Sequence, residues 1–417
     1  MSAGDIAWVL GSAALVLFMT PGLALFYGGM DRTRNVGNML AMNFWCLLVI
    51  PVLWATVGYS LAQSGDGRLI GNLDLALLKG MTITGEDGGA GLLAVAFLGM
   101  FAVITPALIS GAVAGRMRFT AWMAFSVAWF LLVYVPVFKW VYGGWIGELG
   151  ALDFAGGTAI HVNAGIAALA AVIALGKRKG WPEESPAPHS MPLVMLGAGI
   201  LWFGWFGFNA GSAFAANGQA IQAFVNTFLA AAAAGLAWVL IEKAKTGHVT
   251  NLGAASGIVA GLVAITPAAG FVAGMSPIVI GAVAAVACYF GVSVKPKLGY
   301  DDAMDVVGIH FVAGLVGSLL VGLFADPVFF GGDFLAGLFL GGGTRLFMAQ
   351  LVGNLGTIAY CFIVTTVIVR VIDRVIGARV TEEAEANGLD LFEHGESAYS
   401  PEEAEAIVPA LSGAATS

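Results

Sequence analysis

Two histidines lie in closely similar contexts inside apolar segments. His161 follows Ile160 in the run Ile-His-Val-Asn-Ala-Gly, and His310 follows Ile309 in Ile-His-Phe-Val-Ala-Gly, 149 positions later. An ionisable side chain deep in a hydrophobic span is costly and is functional by default. Since the flanking residues carry no charge, burial favours neutral imidazoles. A neutral pair gives a narrow passage a hydrogen-bond donor and an acceptor without a fixed charge.

The elements that carry these histidines are predicted membrane spans. Of 417 residues, 59% are hydrophobic and 11% are charged, whereas about a quarter of an ordinary soluble chain is charged. So few charges exclude a soluble globular enzyme, and the sequence offers no nucleophile–base pair, metal cluster or phosphate-binding loop. A span needs about 20 apolar residues. Eleven segments qualify: 5–29, 37–62, 90–114, 119–140, 156–176, 191–210, 218–242, 250–268, 274–294, 303–325 and 344–376.

A second sequence match indicates an internal duplication. Ile104-Thr-Pro-Ala107 in the third span matches Ile265-Thr-Pro-Ala268 in the eighth, and the histidines pair the fifth span with the tenth. An offset of five spans makes the second copy enter the membrane in the opposite sense. The sequence therefore predicts a 5+5 inverted-topology repeat, with the site near the midplane between the copies and an eleventh helix outside the repeat.

The basic residues predict the orientation. Cytoplasmic loops carry an excess of Lys and Arg. One set of loops holds 14 of the 18 basic residues, namely Arg32, Arg34, Arg116, Arg118, Lys177, Arg178, Lys179, Lys243, Lys245, Lys295, Lys297, Arg370, Arg374 and Arg379. We assign that set to the cytoplasm, which puts the N-terminus outside and the C-terminus inside. The N-terminus lacks the basic region of a cleavable signal peptide, so none is expected.

Two domains are predicted. Residues 1–377 form the transmembrane domain, with repeat one at about 5–176, repeat two at about 191–325 and the eleventh helix at about 344–376. Residues 378–417 form an acidic cytoplasmic tail, which is either disordered or docked on the cytoplasmic face through the segment 388–399. The three cysteines follow no disulfide or zinc spacing. His189, His248 and His394 are expected to be solvated.

The residues predicted to line the passage and its two openings suggest a class of substrate. A neutral lumen suits a small polar solute and repels a bare ion, because moving a cation into apolar surroundings costs tens of kcal/mol. Aromatic rings before the fifth span (Trp140, Tyr142 and Trp145) could attract a cation outside or form an interfacial belt. Asp153 could cap the fifth span and add negative potential to an outer vestibule, and Asp302 and Asp305 match it before the tenth span.

These residues resemble those of the ammonium transporter (Amt/Mep/Rh) family. Within the family, they resemble a prokaryotic member of the Amt branch. The resemblance rests on Phe26-Tyr-Gly-Gly29, Gly150-Ala-Leu-Asp-Phe-Ala-Gly-Gly-Thr-Ala-Ile-His161, Gly204-Trp-Phe-Gly-Phe-Asn-Ala-Gly-Ser212, Ile265-Thr-Pro-Ala268, Asp305-Val-Val-Gly-Ile-His310 and the segment 388–399. It covers almost the whole chain in order. It implies eleven helices around a narrow pore, a homotrimer with one pore per subunit, and no cofactor.

The resemblance also assigns roles to individual residues. It implies an outer ammonium site at Phe97, Tyr142 and Ser212, with Phe101 nearby. Asp153 would organise that site, and Phe101 with Phe208 would form a hydrophobic gate. His161 and His310 would be the paired pore histidines, with Trp205 and Thr266 at pore-lining or vestibule positions. Relatives often have Trp where Tyr142 aligns, so Trp140 or Trp145 could take its place, and Leu98 stands where relatives often have a polar residue.

The expected function is ammonium transport at the inner (plasma) membrane. Ammonium binds outside, loses its proton, and ammonia passes the histidines; whether the proton also crosses stays open. Methylammonium is the expected analogue, and the resemblance implies a cytoplasmic PII signalling protein as a partner. No nucleic-acid partner is indicated. The alternatives are an ammonium-sensing receptor of the same family and a cation-coupled transporter, although the spans lack the paired acids that the latter needs.

Overall fold

The computed structural model describes residues 1–84, 88–183 and 187–399. In these ranges the chain is helical, and the strand pairing there is limited to one bridge between Met117 and Arg379. Ten of the helices in the described ranges are long and apolar enough to cross a membrane. The all-α membrane class predicted from composition is therefore confirmed.

The helices are numbered in chain order. Their bounds are α1 Ala3–Met30, α2 Thr33–Gln63, α3 Ala90–Val113, α4 Phe119–Glu148, α5 Gly157–Leu175, α6 Met191–Gly211, α7 Gly218–Thr246, α8 Asn251–Ile265, α9 Ser276–Ser293, α10 Val307–Phe324 and α11 Arg345–Ile376. Two of them contain a π-helical turn in their interior. A wider π-helical turn interrupts α2 at Trp54–Gly58, and another interrupts α4 at Phe130–Tyr134.

The helix α8 is shorter than the predicted span 250–268. Its 15 residues rise about 22 Å, less than the ~30 Å hydrocarbon core of a bilayer. The helix ends at Ile265, just before Pro267, which has no N–H to continue it. The chain beyond it turns toward α5, where the Pro267 carbonyl oxygen accepts a hydrogen bond from the Phe154 backbone nitrogen at 3.1 Å. The end of α8 therefore supports the loop that precedes α5.

The helices α1 and α6 pack with little space between their backbones. A Cβ atom added to Gly197 would lie 2.4 Å from the backbone nitrogen of Phe26. A Cβ atom added to Gly29 would lie 2.7 Å from the backbone nitrogen of Val194. Glycine at these positions allows the close approach that membrane helices use for packing.

The helices α5 and α10 cross at the centre of the molecule. Each begins with a π-helical turn, at Gly157–Val162 and Val307–Phe311, and each turn contains one of the two histidines. A Cβ atom on Gly165 would lie 2.4 Å from the backbone nitrogen of Phe311. Isolated π-helical turns are rare and occur frequently at functional sites. Here they bring residues from the two halves of the chain together.

After α11 the chain returns to the loops at one end of the helices. Residues 378–399 form a short helix, α12 (Glu382–Asn387), and a turn at Asp390–His394. The Asp390 carboxylate accepts hydrogen bonds from the backbone nitrogens of Gly37, at 3.0 Å, and Asn38, at 2.8 Å. The segment 388–399 therefore packs on the start of α2. Residues 400–417 of the predicted tail lie outside the described residues.

Two histidines expected to be solvated instead take part in the contacts between this tail and the loops. His394 Nε2 lies 3.0 Å from Asn38 Oδ1. His189 Nε2 lies 2.9 Å from the Tyr399 hydroxyl, and His189 Nδ1 lies 3.0 Å from the Asp31 carbonyl oxygen. Both rings are partly buried because the returning chain covers loops that would otherwise face solvent. His248 is exposed, as expected.

We expect Gly165→Ala to lower the stability of the protein. The new methyl group would overlap Phe311 of α10, and overpacking of this kind costs about 1–3 kcal/mol. The matched control is Gly199→Ala in α6, where an added Cβ meets no atom within 4 Å. Thermal unfolding of the purified variants in detergent measures the difference. Equal melting temperatures for the two variants would contradict the close crossing of α5 and α10.

Candidate functional site

The candidate site is centred on two histidines in contact. His161 Nδ1 lies 3.2 Å from His310 Nδ1, and the two rings are nearly parallel, with centroids 5.3 Å apart. The side chains are almost fully buried, with exposed fractions of 2% and 4%. The π-helical turns of α5 and α10 therefore place the two imidazoles as an adjacent pair between the halves of the chain.

This contact determines which further hydrogen bonds the pair can make. One Nδ1 donates the shared hydrogen bond and the other accepts it. In two neutral rings, the donor ring then has an unprotonated Nε2, and the acceptor ring has an Nε2–H. His161 Nε2 is buried and has no hydrogen-bond partner among the described residues. The pair can therefore hydrogen-bond a small polar molecule without carrying a charge.

A small cavity lies against the histidine pair. Its volume is about 10 Å³, which is room for about one water-sized molecule. Nine of its lining residues are apolar or aromatic: Met19, Leu23, Phe26, Ile104, Leu108, Leu201, Trp205, Phe208 and Val259. His161 and His310 complete the lining. An ion in this cavity would find no opposite charge on its walls.

Trp205 fixes one side of the pair. Its ring stacks on His161, with centroids 5.4 Å apart and an interplanar angle of 19°. Its Nε1 donates a hydrogen bond of 2.9 Å to the Thr266 hydroxyl, which in turn donates to the Leu262 carbonyl oxygen. Trp205 lines the small cavity, whereas Thr266 lies behind it and holds the indole.

A pair of phenyl rings separates this cavity from a larger one. Phe208 lines the small cavity and Phe101 lines the larger cavity. Their ring centroids are 4.2 Å apart, with an angle of 31° between the planes. Atoms at that separation leave no space for a molecule between the rings. The two phenylalanines therefore separate the two cavities.

The larger cavity, which we call the Tyr142 cavity, is open to one end of the molecule. Its volume is about 380 Å³, and it is lined by Gln63, Ala94, Leu98, Phe101, Phe138, Tyr142, Phe154, Ala155, Ser212 and Phe214. The Ser212 hydroxyl donates to the Phe208 carbonyl oxygen at 2.8 Å, which leaves its lone pairs available as acceptors. The cavity combines aromatic rings with a few polar atoms.

The structure brings most of the predicted site residues to these two cavities. Phe101, Tyr142 and Ser212 line the Tyr142 cavity, but Phe97 does not. Phe97 is fully buried behind Phe101, with ring centroids 4.9 Å apart. Trp140 and Trp145, the predicted alternatives to Tyr142, do not line this cavity. Trp140 Nε1 donates to the Leu69 carbonyl oxygen, and Trp145 lines a separate surface groove.

Asp153 lies next to the Tyr142 cavity without lining it. Its carboxylate accepts four backbone hydrogen bonds, from Gly156, Gly157, Thr158 and Ala159, at 2.6–3.0 Å. Burial raises the pKa of this carboxyl, and the four N–H groups offset part of that rise. The capping role predicted for Asp153 is thus present at the start of α5, and the adjacent Phe154 and Ala155 form part of the cavity wall.

Asp302 occupies the matching place before α10. Its Oδ2 accepts a hydrogen bond of 2.7 Å from the Val307 backbone nitrogen, and its Oδ1 is buried without a partner among the described residues. Burial raises the pKa of Asp302 to about 6. Asp305 differs, since it forms an ion pair of 2.5 Å with Lys295. Of the two predicted aspartates, Asp302 is the one that caps the helix.

Sequence reasoning did not identify several residues of the Tyr142 cavity. Phe138 lies four positions before Tyr142 on α4, so helical spacing could have placed both rings on one face. Phe214 has a backbone φ of +51°, which is uncommon for a residue with a side chain. No feature of the sequence around Gln63 distinguishes it. The α11 residues Gln350 and Asn354 could have been noticed as polar side chains inside a span.

The fold and the site first define the class of protein. In the described ranges, ten helices long and apolar enough to cross a membrane, with polar groups buried between them, define a helical multi-pass membrane protein.

Comparison with known proteins then identifies the family. The sequence matches the model of the Ammonium Transporter Family over residues 7–399. An Aquifex aeolicus protein named "Ammonium transporter" is 50% identical, with 96% of this chain and 94% of that protein covered. The crystal structure of Candida albicans Mep2 has a TM-score of 0.87 at 35% identity, covering 96% and 92% of the two chains. The chain belongs to the Ammonium Transporter Family, which confirms the resemblance.

A further solved structure is also similar to this chain. A protein called Sensor Amt Protein has a TM-score of 0.86 at 27% identity, covering 94% of this chain and 98% of that one. The fold is therefore shared by proteins with different names, and the choice between their activities depends on the site.

We expect the stability contributed by Asp302 to depend on pH. Its folded-state pKa of about 6 lies above the ordinary value of 3.8, so the folded protein binds the proton more tightly and loses stability as the pH rises between these values. Asp302→Asn cannot ionise and avoids that loss. Its melting temperature relative to the wild type should therefore rise from pH 4 to pH 6 and then level off, corresponding to at most about 3 kcal/mol at 1.36 per pH unit.

Melting curves of the purified proteins across this pH range provide the measurement. Asp66→Asn, which removes an exposed carboxylate, is the control for general effects of charge. A difference between Asp302→Asn and the wild type that stays constant with pH would show that Asp302 is not buried as described.

Proposed function

We propose that this protein conducts ammonium nitrogen across the inner (plasma) membrane as ammonia. The observation that carries the proposal is the pair of imidazoles, 3.2 Å apart, beside an apolar cavity of molecular size. A neutral molecule with both a hydrogen-bond donor and an acceptor suits this pair, and ammonia is such a molecule. Ammonium is excluded because a bare cation in these surroundings costs tens of kcal/mol.

For ammonium, losing a proton costs less free energy than entering the apolar cavity as a cation. Ammonium has a solution pKa of about 9, so its deprotonation at pH 7 costs about 3 kcal/mol at 1.36 per unit. The proton leaves at or below the Tyr142 cavity, ammonia passes between Phe101 and Phe208 when the rings separate, and it then meets His161 and His310. It is protonated again at the other end.

The Tyr142 cavity is the proposed capture site for ammonium. The aromatic rings of Phe101 and Tyr142 attract a cation by about 0.5–2 kcal/mol each, and the Ser212 oxygen can accept a hydrogen bond from it. Asp153 adds negative potential from behind the wall. Phe97 supports the ring of Phe101 and does not touch the cation.

The orientation and the repeat belong to the same proposal. The Tyr142 cavity faces the outside and Asp302 faces the cytoplasm, because the basic loops lie at the Asp302 end. The α8 helix and its following turn complete an eleventh crossing. The packing of α1 on α6 and of α5 on α10 supports a 5+5 inverted repeat, with α11 outside it.

Two assemblies are part of the proposal. The resemblance implies a homotrimer with one pore per subunit, as well as regulation by a PII signalling protein that inserts a loop from the cytoplasm. The docked segment 388–399 and the basic loops beside it support a cytoplasmic surface that a partner can recognise.

The second candidate is an ammonium sensor that conducts little. The similarity to Sensor Amt Protein favours it, but at 27% identity that protein is more distant than the Aquifex aeolicus relative at 50%. We therefore prefer the transporter. Flux of methylammonium into proteoliposomes containing the purified protein separates the two, since a sensor would bind the analogue without filling the vesicles.

The fate of the released proton is open to a direct measurement. Two imidazoles in hydrogen-bond contact provide a relay, so we expect the proton to cross and the transport to be electrogenic. An ammonium jump on a solid-supported membrane should then produce a current. Flux without current would show that ammonia alone crosses.

We expect replacement of both histidines by alanine to abolish ammonium-selective transport. His161→Ala with His310→Ala removes the donor and the acceptor from the lumen and enlarges the central cavity. The control is His248→Ala, which changes an exposed histidine. Methylammonium uptake by proteoliposomes is the measurement. Uptake by the double variant equal to that of the control would remove the histidines from the mechanism.

A further inference from the structure

The last long helix, α11, presents a buried polar seam to the rest of the molecule. The seam consists of Gln350, Asn354, Thr357, Cys361 and Thr365, each at most 2% exposed. Their spacing of three or four residues places them on one face of the helix. Polar groups buried in an apolar span need partners within the protein, so their contacts indicate what the helix holds in place.

The first residue of the seam, Gln350, forms hydrogen bonds with the backbone of Leu152, just before Asp153. Its Oε1 accepts a hydrogen bond of 2.8 Å from the Leu152 nitrogen, and its Nε2 donates one of 2.7 Å to the Leu152 carbonyl oxygen. The same Nε2 also donates to the Ser318 carbonyl oxygen of α10 at 2.9 Å. The amide thus satisfies both backbone polar groups of Leu152 and ties this residue to α10.

The next residue, Asn354, holds the other end of the same loop. Its Oδ1 accepts a hydrogen bond of 3.1 Å from the Thr158 hydroxyl, and its Nδ2 donates to the Ser318 hydroxyl at 2.7 Å. The Thr158 backbone nitrogen is one of the four donors to Asp153. Residues on both sides of the Asp153 carboxylate are therefore anchored to α11.

We propose that Gln350 is a positioning residue for ammonium capture, an inference that rests on the proposed function of the Tyr142 cavity. By fixing Leu152, it sets the place of Asp153 against the start of α5. It also sets the place of Phe154 and Ala155, which form the adjacent cavity wall. It acts on the affinity of the capture site and leaves the passage beyond Phe101 unchanged.

The opposite mouth shows why a neutral amide suits this position. There, Asp301 directly precedes Asp302, and the Asp301 carbonyl oxygen accepts a hydrogen bond from Arg116. The Asp301 carboxylate also pairs with Arg116 and Arg178, each at 2.7 Å. A buried arginine beside the Tyr142 cavity would offset the negative potential of Asp153 and repel ammonium. Glutamine fixes Leu152 without adding charge.

The test compares Gln350→Leu and Gln350→Glu with Thr357→Val in the full-length protein. Thr357 belongs to the same seam, but its hydroxyl donates only within α11, to the Gly353 carbonyl oxygen. Two readouts are used. One is the KM and maximal rate of methylammonium uptake into proteoliposomes, and the other is hydrogen exchange of the backbone amides at residues 152–159.

For Gln350→Leu, we expect faster amide exchange at residues 152–159 and a KM raised about five- to tenfold, as for loss of buried hydrogen bonds. The maximal rate should change less than about twofold, because an effect on uniform binding appears in KM alone. Thr357→Val should match the wild type in both readouts.

Gln350→Glu tests the positioning role through the pH dependence of KM, which Gln350→Leu does not. A protonated glutamic acid can both accept from Leu152 and donate to it, whereas a carboxylate can only accept. The KM of this variant should therefore approach the wild-type value as the pH falls, and Gln350→Leu should show no such recovery.

The outcomes separate this inference from the proposed function. Unchanged amide exchange in Gln350→Leu overturns the positioning role whatever the transport data show. Faster exchange with an unchanged KM, in a preparation where the wild type transports, also overturns it. If the wild type does not transport methylammonium at all, the proposed function fails, and the exchange data still decide whether Gln350 holds the loop.

Discussion

The rest of the site depends on the contact between His161 and His310, two rings that come from distant parts of the chain. Both rings are buried, so bulk water does not reach them. The 3.2 Å separation of their Nδ1 atoms requires α5 and α10 to cross closely, which glycine at position 165 allows. Trp205 fixes one ring by stacking, and the apolar lining leaves the pair without a neighbouring charge. A charged side chain in this cavity would change what the pair can admit, because electrostatic interactions are strong in apolar surroundings.

The starts of α5 and α10 are capped and held in different ways. Each of the two histidine-bearing helices starts inside the protein, where unpaired N–H groups must be satisfied, and an aspartate caps each start. Asp153 receives four N–H groups and is held through the neutral Gln350, whereas the loop of Asp302 is held through Arg116 and Arg178. The result is a carboxylate held by uncharged donors beside the Tyr142 cavity, and a carboxylate preceded by a network of paired charges at the start of α10.

Several features of the site were accessible from sequence because they involve residues close together in the chain. The capping role of Asp153 followed from its place before a span, and the histidine pair followed from two similar runs. The burial of Phe97 behind Phe101 and the contribution of Phe138 and Phe214 to the cavity did not follow. These depend on how α3, α4 and α6 rotate against one another, which the hydrophobic pattern does not specify when helices are apolar on most faces.

The sequence by itself determined the class of protein, its approximate spans and the residues able to do chemistry, since hydropathy and rare polar groups within spans are local properties. Only the tertiary structure decided that Tyr142 lines the cavity while Trp140 and Trp145 do not, that Gln350 supports the Asp153 loop, and that residues 378–399 return to the start of α2. These contacts join residues separated by large distances in the chain, and they form because buried polar groups must find partners wherever the packing brings them.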